Sequence, residues 1–423
     1  MNSEWVKVQL GDLINIKHGY AFKGSNFSDA PTEYILVTPG NFKIGGGFKN
    51  EKFKFYSGEF PEEYILKDND LIVTMTDLSK LGDTLGYSAL VPLSPNHLFL
   101  HNQRIGLVEI LKSESDVDKL FIYWLMRSPF YQKYIVNYST GTSVKHTSPT
   151  SIKNFTFLLP SLPIQQKIAS ILSALDDKIE LNNKINENLE QQAQAIFKNW
   201  FVDFKPWGGT TPVSWKQGTL GDILCSIESG SRPKGGAILE GIPSIGAENI
   251  ERFGQYDYSK EKYIDSAFFQ KIKRGIVKSG DVLLYKDGAY TGKVSMSLDG
   301  FPHTVCAINE HVFILRTNDY CPSQFFLYLL LLLDENRSKL FTMASSKAAQ
   351  PGLNQSEVSC LPIIIPEKNV IKDFDSKISP LMHKIANNSL ESRALSMLRD
   401  SLLPKLMSGE IDVSNVSVES EDC

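Results

Sequence analysis

LPSLPIQQKIASILSALDDKIELNNKINENLEQQAQAIFKNWFVD, residues 159–203, decides how the rest of the chain is read. It holds no glycine, and its only prolines, Pro160 and Pro163, stand at the start, where a missing N–H costs a helix little. At 1.5 Å rise per residue the stretch predicts one helix of roughly 60 Å. Ile168, Ile171, Leu175, Ile185, Leu189 and Ile196 fall at steps built from three, four and seven, the period of a seam that needs a partner helix. Lys178, Asn182 and Gln192 lie on or beside that seam, where a polar group sets register at some cost in stability.

Outward from this helix the chain repeats itself. Trp5, Leu10, Gly11 and Asp12 recur as Trp215, Leu220, Gly221 and Asp222. Asp70 recurs as Asp281, Asn102-Gln103 as Asn309-Glu310, Leu159-Pro160 as Ile365-Pro366, and Leu175, Lys178 and Ile179 as Leu381, Lys384 and Ile385. The repeat predicts a tandem duplication of one unit, a globular module followed by a helix. The expected boundaries are 1–160 for the first module, 161–207 for the central helix, 208–365 for the second module, and 366–423 for the second helix and tail. Leu381, Ile385 and Leu395 would supply the second face of the seam. Pro380 should either kink the second helix or mark its true start, with Ser379 as N-cap.

Within the modules Tyr34–Val37, Leu71–Met75, Ile105–Ile110 and Phe155–Leu159 read as strands, with Val282–Tyr285, Val312–Leu315 and Pro362–Ile365 as counterparts. Residues 118–126 and 323–333 read as helices packed on the sheets. The fold class expected is α+β: two tandem strand-rich modules, each followed by a long helix, the helices pairing as an antiparallel coiled coil with pseudo-two-fold symmetry.

Composition excludes several classes. With 42% hydrophobic and 22% charged residues the chain has enough apolar content for two cores. No apolar run approaches the roughly 18 residues of a membrane span, and MNSEWVKVQL lacks the pattern of a secretory signal. Five scattered cysteines fit reduced thiols and suggest neither a disulfide frame nor a zinc site. A cytoplasmic protein without a membrane partner is expected.

Duplex DNA suits a duplicated reader, because its half-sites show the same face about 34 Å apart, or at multiples of that. Acidic and basic residues balance within each module, so the phosphate grip must come from basic side chains gathered on one face or from a partner. Lys43, Lys49 and Lys52 interleave with phenylalanines around a glycine turn. Lys80 lies in a polar loop, and Thr142, Ser143, Lys145 and His146 form another rich in donors. The second module offers Arg232 and Lys234, Lys286, Tyr290 and Lys293, and Ser346, Lys347 and Gln350. These are the candidate DNA contacts. A duplicated protein–protein interaction scaffold is the alternative; it accounts for the helices and the neutral charge but not for the paired polar loops.

No catalytic constellation emerges. Gly288 to Lys293 is one residue short of a phosphate-binding loop and continues with Val294 where Ser or Thr would hold Mg²⁺. Asn26-Phe-Ser and Ser128-Pro-Phe do not make an amino-methylating motif, and the histidines show no metal-ligand spacing. His101 reads as structural.

These pieces, in this order, resemble the specificity subunits of type I restriction-modification systems over nearly the whole chain. The resemblance rests on the Trp-x4-Leu-Gly-Asp openings at Trp5 and Trp215, the Leu159-Pro-x-x-Pro163-x-x-Gln166 entry to the helix, and Phe197-Lys-x-Trp200-Phe201 at its end. Gly288-x3-Gly292-Lys293 and Leu402-Leu-Pro404-Lys-Leu-Met-Ser-Gly409-Glu-Ile411 complete it. It implies that the modules are target recognition domains, each reading half of a split sequence in double-stranded DNA, and that the helices set the gap and dock two methyltransferase subunits. Restriction (motor-endonuclease) subunits would join them. S-adenosylmethionine, ATP and Mg²⁺ would belong to those partners, and this chain would hold no cofactor, metal or catalytic residue. The first module departs from the second at 76–86, and Glu367-Lys-Asn lacks the second proline of the helix entry; the low similarity between the modules outside their framework suggests that they read different half-sites.

Overall fold

A computed structural model describes residues 5–77, 79, 82–113, 116–345 and 352–416. The chain divides into two compact units, residues 1–176 with 396–423, and residues 177–395. Both boundaries fall inside long helices. The central helix runs Leu162–Phe201 and the second Lys368–Met407, 40 residues each.

Unit 1 is built on a four-stranded antiparallel sheet in the order Ile14–His18, Ile105–Ile110, Leu71–Thr74, Ser88–Leu90. A five-stranded sheet contains Tyr34–Val37 paired in parallel with Leu98–His101, and a third pairs Val6–Gln9 with Thr156–Leu159. Unit 2 repeats the plan. Its four strands run Leu224–Ser229, Val312–Thr317, Val282–Tyr285, Val294–Met296; Ile242–Ile245 lies parallel to Ala307–Ile308; and Lys216–Thr219 pairs with Pro362–Ile365.

Local reasons for each element also come in pairs. Leu71–Thr74 is buried along its length, as are Val282–Leu284, so these strands read as continuous apolar runs covered on both faces. A helix at Lys119–Leu125 starts where the Asp118 side chain accepts from the Phe121 N–H at 2.7 Å; its counterpart at Gln324–Leu332 starts where Ser323 accepts from Phe326 at 3.0 Å. Each cap frees a helix face of large apolar residues to fill the core beside the sheet.

The helices pair in antiparallel fashion inside each unit. In unit 1 Ile168, Ala169 and Leu172 share a core with Leu403, Leu406 and Met407. In unit 2 Ala193, Phe197 and Phe201 share one with Phe374, Ile378 and Met382. The buried strip differs from the expected seam. Ile168 and Ile385 are buried, whereas Ile171, Leu175, Ile185, Leu189, Ile196, Leu381 and Leu395 are half-buried and flank it. In the middle the strip consists of Asn182, Asn186 and Glu190, continuing through Ala193, Phe197 and Phe201. Those positions follow the 3.6-residue period of a straight helix, so a 3.5-residue apolar seam drifts off the contact line within two heptads. Asn186 donates to Ser389 Oγ at 3.0 Å and accepts from Asn388 Nδ2 at 2.9 Å, and Asn182 donates to Glu391 at 2.9 Å.

Of the two alternatives for Pro380, the helix start is excluded: Pro380 lies within the helix Lys368–Met407. Pro380 and Ser376, whose carbonyl loses its helical partner, are both exposed, so water can take the place of the missing donor. No helix among the described residues is long and apolar enough to cross a membrane.

Candidate nucleic-acid interface

Three segments distant in sequence meet at one end of the four-stranded sheet in unit 1. The Met75 N–H donates to the Arg104 carbonyl at 2.9 Å, and the Thr147 N–H donates to the Met75 carbonyl at 3.0 Å. A three-row ladder results: the turn at 102–104, the end of the central strand at 75, and the segment at 145–147. Unit 2 builds the same ladder. Lys286 donates to the His311 carbonyl at 3.1 Å, and Leu353 donates to the Lys286 carbonyl at 2.8 Å.

The turn row is held identically in both. Asn102 Oδ1 accepts from the Arg104 N–H at 3.0 Å, and Asn309 Oδ1 accepts from the His311 N–H at 2.9 Å. A glycine crosses beneath each turn: a Cβ on Gly19 would lie 2.1 Å from the Asn102 carbonyl oxygen, and one on Gly230 2.1 Å from that of Ile308. Asp70 and Asp281 close the turns before the central strands by accepting from Lys67 and Lys278, each at 2.8 Å. The repeated Asp, Asn and Gly positions are therefore frame residues that satisfy backbone donors or permit close crossing.

Around the ladder of unit 1 stand several of the candidate contacts. Lys145 and His146 form a short strand against Thr76–Asp77, and His146 Nδ1 lies 3.2 Å from Thr76 Oγ1. Thr142 and Ser143 are exposed in the preceding turn. Asp77 is 3% exposed and organises the loop beyond it, accepting from the Ser79 N–H at 2.6 Å and from Thr84 Oγ1 at 2.8 Å. Burial alone would raise its carboxyl; the hydrogen bonds from Ser79 and Thr84 outweigh that and hold it below the ordinary carboxylate value. Lys80 lies outside the described residues.

Lys43, Lys49 and Lys52 belong instead to the hairpin that leads into Lys54–Tyr56 of the five-stranded sheet. Lys43 and Lys52 are exposed, and Lys49 sits 3.8 Å from Glu51. The interleaved phenylalanines are not a stacking platform. Phe48 and Phe53 pack on Phe99 in a small core, with centroid distances of 5.5 and 6.3 Å, so these rings serve the interior of the module. His101 is fully buried and its Nε2 donates to the Ile105 carbonyl at 2.8 Å, a structural role.

In unit 2 the Lys286 side chain lies half-buried over the Phe313 ring at 4.8 Å, and Tyr290 is 61% exposed in the loop that follows. Lys293 is a strut: its Nζ donates to the Ile250 carbonyl and to Glu251, both at 3.0 Å. Arg232 reaches Glu310 at 3.4 Å, and Lys234 is exposed on the same loop. An open groove beside them is lined by Arg232, Glu248, Lys262, Asn309, Glu310 and His311. Ser346, Lys347 and Gln350 lie outside the described residues. The turn residues Gln103, Arg104, Glu310 and His311 were missed as candidates. The available signal was the repeated Asn102-Gln103 and Asn309-Glu310 pair, read only as a marker of duplication.

Among the described residues no three His, Cys, Asp or Glu side chains group so as to hold a metal ion. The sequence model of the family described as Type I restriction modification DNA specificity domain matches residues 2–191 and 212–396. The chain is 29% identical over 350 residues to the MjaIX type I restriction enzyme specificity subunit of Methanocaldococcus jannaschii, covering 78% of this chain and 76% of that one. It is 26% identical to the HindI specificity subunit of Haemophilus influenzae, covering 97% and 100%. Among solved structures, the type I restriction-modification S subunit of M. genitalium shares the fold with TM-score 0.60 at 17% identity, over 96% of this chain and 97% of that one.

Proposed function

Because this chain belongs to the family of type I restriction-modification DNA specificity domains, we propose that it reads a bipartite site in double-stranded DNA, one half-site per unit. The observation that carries this reading is the twofold ladder, one hydrogen-bonded frame built twice with different exposed residues around it. A frame that holds its shape while its rim varies is what reading two different half-sites demands. Specificity subunits are the non-catalytic components of their complexes, and recognition is the contribution assigned to this chain.

In this reading the long helices set the gap between half-sites and dock two methyltransferase subunits, which bind S-adenosylmethionine and methylate adenine. Motor-endonuclease subunits with ATP and Mg²⁺ join them, in the cytoplasm. Lys145, His146 and Lys286 sit at the ladders as DNA contacts, with Thr142 and Ser143 beside them. Lys43, Lys52 and Lys234 are exposed elsewhere and serve as phosphate contacts, which position without specifying sequence.

The test is a map of modified adenines in cells carrying this chain with its partner methyltransferase, against cells lacking the chain. A split motif that appears only with the chain supports the reading. Methylation that does not depend on the chain returns it to a protein–protein interaction scaffold. Inserting about seven residues, one heptad, into 184–194 should lengthen the gap and leave both half-sequences unchanged.

A further inference from the structure

We propose that Arg104 reads a guanine in the half-site of unit 1, an inference that rests on the recognition role above. The backbone of Arg104 is pinned on both sides: its N–H by Asn102 Oδ1 at 3.0 Å, its carbonyl by the Met75 N–H at 2.9 Å. Its side chain is exposed, and among the described residues no carboxylate lies within ion-pairing distance of it. Unit 1 contains two other arginines, and both are committed. Arg127 binds Asp176 at 2.6 Å with only 4% of its side chain exposed, and Arg399 binds Asp176 and Asp400. An unpaired guanidinium on a fixed backbone, at the rim of the ladder and next to Gln103, is positioned to meet a ligand from solvent without first breaking an ion pair. The planar fork of N–H donors matches the O6 and N7 acceptors that guanine alone presents side by side in the major groove.

Unit 2 supplies the contrast. The equivalent residue is His311, and its Nδ1 lies 2.9 Å from Asp287. Its neighbour Glu310 sits 3.6 Å from the same ring and 3.4 Å from Arg232. The turn of unit 2 is internally paired and presents no free fork, so the guanine contact is specific to unit 1.

The experiment uses the full chain assembled with its methyltransferase, first to map the motif, then to bind duplexes in which each guanine is replaced in turn by 7-deazaguanine, which lacks N7. Exchanging residues 208–360 for another module identifies the half-site of unit 2. At one guanine of the other half-site, the 7-deaza substitution should weaken wild-type binding roughly 2- to 15-fold, the N7 share of a bidentate pair. Arg104→Ala should relax the motif at that position alone and bind the guanine and 7-deazaguanine duplexes equally at that position, because the variant contacts neither O6 nor N7. Arg104→Gln, which keeps the stem and suits adenine, should relax or shift the same position. Continued methylation dependent on the second half-site serves as the folding control for both variants. An unchanged motif and unchanged 7-deaza sensitivity in both variants overturns the proposal while leaving the recognition role intact. So does an equal loss on every sequence, which would make Arg104 a phosphate contact. Absence of any split motif with the wild-type chain overturns both.

Discussion

The two ladders share every backbone bond described above and almost none of the chemistry at their rims. In unit 1 the cation stands on the turn row, Arg104, and the middle row is the buried Met75; in unit 2 the cation moves to the middle row, Lys286, and the turn row carries His311 tied to Asp287. Exchange of this kind is cheap because the frame is closed by Asn and Asp side chains and by glycine crossings, none of which depends on the exposed residue. The interiors differ as well. At the helix position where unit 2 buries Met382 in apolar surroundings, unit 1 holds Asp176 between Arg127 and Arg399. Duplication preserved the scaffold and left both rim and core free to diverge.

That difference in the cores gives the largest expected effect. Asp176→Ala strands the buried Arg127, removes one of the two carboxylates on Arg399, and should cost about 3–5 kcal/mol of unit 1 stability. Hydrogen exchange resolved by unit should show unit 2 unmoved; equal loss in both would mean that they do not unfold independently. Burial pushes the Asp176 carboxyl up, but Arg127 and Arg399 prevail and hold it below the ordinary value. A depressed folded pKa means that its stabilising share is present above the unfolded value of about 3.9 and is lost as pH falls through the folded one. Asp176→Asn should therefore lower unit 1 stability near neutrality and flatten its acid limb below about pH 4.

Next in size, Gly19→Ala and Gly230→Ala should each cost about 3 kcal/mol, because the new methyl meets a backbone carbonyl that cannot step aside. Matching losses in urea unfolding sharpen the claim of one frame; tolerance in one copy breaks it. Asn186→Ala removes the bonds to Ser389 and Asn388 within the unit 2 helix pair and should cost about 1–3 kcal/mol. Smallest are Lys145→Ala and Lys286→Ala. If each contacts phosphate, affinity should fall by up to about tenfold, more at low salt than at high, with the salt slope reduced by about 1. An unchanged slope for one of them would mean that the cation has moved out of reach of DNA in that unit.

How much of this was legible beforehand depends on the range of the cause. Strands Tyr34–Val37, Val282–Tyr285 and Pro362–Ile365, and the helix caps at Asp118 and Ser323, follow from neighbours a few residues away, and they lie where their local pattern puts them. The pairing of Val6–Gln9 with Thr156–Leu159 has no local signature, nor has the meeting of 75, 104 and 147, since each joins segments tens of residues apart. Arg104 escaped notice for that reason: it stands in no basic cluster, and only the ladder brings it to the same end of the sheet as Lys145 and His146, one row apart across Met75.

What the sequence determined by itself is the plan. Repeated Trp, Gly and Asp positions announced two copies, and a long stretch without glycine, with its prolines confined to the start, announced the helix, because periodicity and backbone preference act along the chain. Tertiary structure alone decided which face of that helix is buried and which loops meet. Asn182 and Asn186 are hidden rather than exposed because partners on the second helix satisfy their amides, and Phe48 and Phe53 face a core because Phe99 lies opposite them. A polar group is stable inside only when another part of the chain completes its hydrogen bonds, and that completion is not written in its own neighbourhood.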